Sequence, residues 1–95
     1  MPIRILIADR QELFREALRR LLESEPDFAV VGETDDGERL PALAAGLRPD
    51  VLLLDLKLRK CSGIEALREI TAQTETRPIL LVGSRHVREW RHGDR

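Results

Sequence analysis

Hydrophobic positions along the chain fall into blocks of two periods. Residues 3–8 (IRILIA) form a short apolar run rich in β-branched residues, which suits a buried strand. From 11 to 24 the spacing turns helical. Leu13, Phe14, Ala17, Leu18, Leu21 and Leu22 line one broad stripe. Pro26 closes that helix, and Phe28–Glu33 (FAVVGE) is a second strand. "TDDG" is a turn in which Asp35 or Asp36 caps the next helix. Leu40, Leu43, Ala44 and Leu47 mark that short second helix, whose first turn Pro41 is expected to weaken and which Pro49 ends.

Residues 51–54 (VLLL) are an unbroken apolar run, the pattern of a strand buried on both faces. A polar loop (LKLRKCSG) leads to a third helix over 64–72. Pro78 then opens a fourth strand (PILLV), in a strand position where proline is tolerated. The remainder, "GSRHVREWRHGDR", has no clear apolar face. Strands alternating with helices predict a parallel sheet covered by helices, with right-handed crossovers. Ligands bind such sheets beyond the carboxyl ends of the strands. Asp9 and Asp55 each terminate a strand at that edge.

At 95 residues the chain is one domain. Only three residues are aromatic, so Leu, Ile, Val and Ala must build the core. Charged residues make up 35 % and nearly cancel to −1, which argues against a general nucleic-acid or membrane-surface binder. Cys61 is the only cysteine, so no intramolecular disulfide forms. No stretch is long and apolar enough to span a membrane, and the N-terminal run is too short for a signal peptide. A cytoplasmic protein is expected.

Two acids from different strands at one edge can hold a hard cation such as Mg²⁺, and one of them can attack phosphorus. Asp55 is the better nucleophile candidate, because it follows the most buried strand and opens a polar loop. Against this stands the plainer reading that each Asp merely turns the chain.

The stretches "IRILIADRQELFREALRRLLESEPDFAVVGETDDGERL" and "RPDVLLLDLKLRKCSGIEAL" resemble a receiver domain of bacterial response regulators. They are most similar to receivers that precede helix-turn-helix output domains of the LuxR type. The resemblance runs from about residue 2 to about residue 82. It implies an α/β, flavodoxin-like three-layer sandwich with strand order 2-1-3-4-5, shortened here to about four parallel strands in order 2-1-3-4. It further implies that Asp55 accepts a phosphoryl group from a histidine kinase, that Asp9 helps hold Mg²⁺, and that Gly63 serves the turn after the acceptor loop. Residues 1–84 would form the receiver-like domain and 85–95 a divergent C-terminal tail.

Four departures from the family pattern qualify this. Arg10 stands where the family has a second metal-binding acid. Directed into the site about 5 Å from Mg²⁺, it would repel the ion by about 6–7 kcal/mol at an effective dielectric near 20. Millimolar metal binding is worth only about 4 kcal/mol. Mg²⁺-dependent phosphorylation at Asp55 is therefore expected to be weak or absent. Arg10 could instead pair with Asp9 or Asp55 in place of the metal, or lie outward in solvent. Arg59 replaces a loop proline, so a more mobile acceptor loop is expected. The family's switch Thr or Ser falls at Val82 or Gly83, leaving Ser84 as the nearest hydroxyl. The chain stops before a fifth strand and the last two helices, which makes the fourth strand a sheet edge and predicts a homo-oligomer.

Lys57, Arg59 and Lys60 make a basic loop that attracts a phosphoryl donor or an acidic partner, or is simply solvated. Cys61 reads as a passive loop thiol. His86 and His92 lack companions for a metal site. The tail arginines with Trp90 are diluted by Glu89 and Asp94, so without an output domain nucleic-acid binding is not expected. The sequence thus predicts a stand-alone receiver-like module of a phosphorelay. Its rivals are a phosphorylation-independent interaction module and a remnant of a DNA-binding response regulator.

Overall fold

The computed structural model describes residues 2–82 and 86–89. Its elements are β1 (Ile3–Ala8), α1 (Glu12–Glu23), β2 (Phe28–Thr34), α2 (Leu40–Leu47), β3 (Val51–Asp55), α3 (Gly63–Gln73), β4 (Arg77–Val82) and β5 (His86–Glu89). The first seven match the sequence pattern to within about a residue. The sheet order is β2-β1-β3-β4-β5, with the first four strands parallel. The parallel pairing is what the alternating pattern predicts, and the order is the flavodoxin-like one that the resemblance implies.

The fifth strand corrects one expectation. Residues 86–89 pair antiparallel with Ile79–Val82, so β4 is an inner strand and β5 lies outside it. An antiparallel partner needs only a tight connection, whereas a parallel one needs a crossover of a dozen or more residues. Four residues of mixed polarity carry little periodic signal, which is why the pattern did not show this strand.

Strand alternation divides the core. Leu6 and Ala8 of β1 and Leu52 and Leu54 of β3 are fully buried. They join Leu40 and Ala44 of α2 with Ala66, Leu67 and Ile70 of α3 in one cluster. α1 packs on β1 and β2 with no residue fully buried. Its Leu13 and Leu21 remain 81 % and 67 % exposed.

Pro41 does not weaken α2 as expected. It sits in the first turn, where an amide N–H has no helical partner anyway. Arg48 caps the same helix in the left-handed region at φ 50°, donating its N–H to the Ala44 carbonyl. α3 begins properly capped, with Ser62 Oγ accepting from the Glu65 N–H.

Candidate phosphoacceptor pocket

The parallel register places the ends of β1 and β3 side by side, with Ala8 opposite Leu54. Asp9 and Asp55 therefore arrive at the same edge of the sheet. Their carboxyl groups are close enough for Asp55 to act on the ionisation of Asp9.

Asp9 is buried, at 4 % exposure. Its N–H donates to the Thr34 carbonyl (3.0 Å) and its Oδ1 accepts from the Gln11 N–H (2.8 Å). Burial pushes its carboxyl above the ordinary range, and the neighbouring Asp55 adds to this. The Gln11 amide and the Arg15 guanidinium pull the other way without cancelling it. Asp55 is half-buried, and its Oδ1 accepts from the Lys57 N–H at 3.0 Å. Two like-charged carboxylates held this close favour a proton or a cation between them.

The cation beside Asp9 is not the one the sequence singles out. Arg10 is exposed, and no ion pair joins it to either carboxylate among the described residues. It takes the solvated position. Arg15, further along on α1, holds the inner one. Its side chain is only 13 % exposed. Nη1 donates to the Asp9 carbonyl (2.8 Å) while Nε binds Glu33 Oε1 (2.9 Å). Arg19 takes the other oxygen of Glu33 at 3.0 Å. This knot ties α1 to β2 and fixes the backbone at Asp9. Sequence reasoning missed it, because Arg15 and Glu33 are eighteen residues apart and each reads as a surface charge. The one usable signal was that Arg15 follows Phe14 on the inward side of an amphipathic helix.

The loop after Asp55 is also tied more firmly than its lost proline suggests. The Arg59 N–H, which a proline would lack, donates to the Asp35 carbonyl at 2.9 Å. The Arg59 carbonyl accepts from Gly37 (2.9 Å) and from Cys61 (2.8 Å). Lys57 is exposed. Lys60 and Arg59 face Asp36 (3.4 Å) and Asp35 (3.8 Å). Gly63 donates its N–H to the Leu56 carbonyl, and a Cβ there would come within 2.6 Å of Leu56 Cα. Glycine is required by close approach of backbone. Burial pushes the Cys61 thiol up, with Glu65 and Glu38 adding to it, so the thiolate is disfavoured.

Asp9 and Asp55 are the residues that would hold a divalent ion. Mg²⁺ keeps several waters and uses one or two carboxylates, so two converging acids meet its minimum. Among the described residues no group of three or more His, Cys, Asp or Glu could hold a metal. Ser84 and His92 lie outside the described residues, and of His86 only the strand assignment of its backbone is described. No helix among the described residues is long and apolar enough to cross a membrane.

Comparison with known proteins agrees with this geometry. The response regulator receiver domain model matches residues 5–91. A protein-glutamate methylesterase/protein-glutamine glutaminase of Anaeromyxobacter dehalogenans is 44 % identical over 81 residues, covering 85 % of this chain and 24 % of its own length. The uncharacterized transcriptional regulatory protein YxjL of Bacillus subtilis is 39 % identical over 84 % of this chain and 37 % of its own. The chain thus spans well under half the length of these relatives. Among solved structures, the response regulator domain of Thermotoga maritima CheB superposes with a TM-score of 0.81 at 36 % identity, over 84 % of this chain and 60 % of that one. The chain belongs to the response regulator receiver domain family.

Proposed function

We propose that this receiver accepts a phosphoryl group on Asp55, from a histidine kinase or a small phosphoryl donor, and that Mg²⁺-dependent transfer is impaired. The convergence of Asp9 and Asp55 at the carboxyl ends of β1 and β3 carries the reading. Asp55 is the half-buried, loop-opening member and supplies the attacking oxygen. Asp9 and Asp55 would hold the metal, which would supply charge neutralisation for the transferring group. The impairment is supported by Arg10, a cation on the residue next to Asp9 where a third acid would strengthen binding. Lys57, exposed beside Asp55, favours approach of an anionic donor.

A signalling partner in the cytoplasm belongs to the same proposal, as does self-association. Leu13 and Leu21 on α1 offer apolar contact area, and the outer edge of the sheet passes to β5. Those exposed leucines also favour the second reading, a module whose binding does not depend on phosphorylation. Treatment with acetyl phosphate and Mg²⁺, followed by mass spectrometry, tests the acceptor. Modification is expected to be well below one group per chain and to vanish in Asp55→Asn. Partner binding that survives Asp55→Ala would favour the second reading instead.

A further inference from the structure

The loops that follow β2 and β3 are joined to each other. Asp36 and Arg59 form a parallel bridge outside the named strands, closed by Arg59 N–H to the Asp35 carbonyl and Gly37 N–H to the Arg59 carbonyl. Because β1 lies between β2 and β3 in the sheet, this bridge spans the strand that ends in Asp9. Asp36 is itself buried, at 7 % exposure. Its Oδ1 accepts from the Glu38 N–H (2.8 Å) and its Oδ2 faces Lys60 Nζ (3.4 Å). Burial pushes the Asp36 carboxyl up, but the Glu38 amide and the Lys60 ammonium more than offset this and hold it below the ordinary range.

Two details show how closely the loops fit. A Cβ on Gly37 would come within 2.3 Å of the Cys61 carbonyl oxygen, so only glycine allows the contact. Lys60 holds φ at 70°, a left-handed conformation that its surroundings must impose. The clasp also reaches both neighbouring helices. The Asp36 carbonyl accepts from Arg39, just before α2, and Ser62, just past Cys61, caps α3.

We infer that Asp36 and Lys60 are positioning residues for Asp55: their ion pair closes a clasp between the two loops that sets the course of the chain from Asp55 to α3. Lys57, three residues before Lys60, donates its N–H to the Asp55 carboxylate, so the set of the loop fixes the direction of that carboxylate. The inference rests on the phosphoacceptor reading only for the importance of Asp55. The clasp itself is read without any phosphoryl transfer.

Amide hydrogen exchange and proton chemical shifts by NMR on the full chain test it. The Arg59 and Gly37 amides should exchange slowly in the parent protein. Lys60→Asn removes the ammonium but tolerates the left-handed backbone, and should speed both by about two- to fivefold, as a half-exposed ion pair warrants. Lys60→Arg should restore the parent rates. Gly37→Ala should abolish the protection. In Lys60→Asn and Gly37→Ala the Lys57 amide proton should move toward its unbonded position. Free-peptide exchange at Arg59 and Gly37 in the parent would overturn the clasp. An unmoved Lys57 amide in variants whose loop amides exchange faster would overturn the positioning role.

Discussion

Replacing Arg10 offers a quantitative probe of the pocket. Had its guanidinium pointed inward, its removal would have released several kcal/mol of repulsion. It is exposed instead, and among the described residues no ion pair joins it to either acid. At about 8 Å from a divalent ion in a water-like dielectric, a unit charge costs about 1 kcal/mol. Physiological salt reduces this to about 0.4 kcal/mol. Arg10→Ala should therefore tighten Mg²⁺ binding by only about two- to fivefold. Arg10→Asp changes the charge by two units and should gain about four- to thirtyfold by electrostatics, with more if the new carboxylate ligates. Two amides report directly on the site, since Gln11 donates to Asp9 Oδ1 and Lys57 to Asp55 Oδ1. Their shifts on Mg²⁺ titration give both affinities. A hundredfold gain in Arg10→Ala would show that the guanidinium occupies the site after all. No gain in Arg10→Asp would show that the third acid is not what the site lacks.

Burial and packing set three further outcomes. Asp9→Asn keeps the acceptor for Gln11 and removes a buried carboxylate whose pKa is raised, so the native state no longer resists ionisation. Stability at pH 7 should rise, read as a higher Tm, and the gain should fade as pH falls toward 3.8, the unfolded value. Gly63→Ala drives a Cβ against the Leu56 backbone and should cost about 1–3 kcal/mol in denaturant unfolding. Leu54→Ala, at a fully buried position, should cost about 2–5 kcal/mol, while Leu13→Ala, at 81 % exposure, should stay within about 0.5 kcal/mol.

The parts legible in the sequence are those written in local periodicity. The buried runs at 3–8 and 51–54 and the stripe on α1 specify strands and helix, the resemblance supplies the sheet order, and the strand-end acids mark the edge where the pocket is proposed. Arg15 with Glu33, and Asp36 with Lys60, were not legible. Each pair joins charges eighteen or more residues apart, and such pairs form only once the sheet order brings β2 beside β1 and β3 on its other side. The role of Arg59 inverted for a related reason. Its value lies in a backbone N–H, which no side-chain pattern displays. Arg10, conspicuous in sequence, is exposed, and it is Arg15 that binds the Asp9 carbonyl.

Impaired metal-dependent chemistry at Asp55 is tested most directly by fluorine NMR with beryllofluoride and millimolar Mg²⁺. The phosphoryl mimic should give little or no bound signal on the parent chain and a clear one on Arg10→Asp, lost again when Asp55→Asn is added. A full bound signal on the parent chain at the same Mg²⁺ would contradict the account.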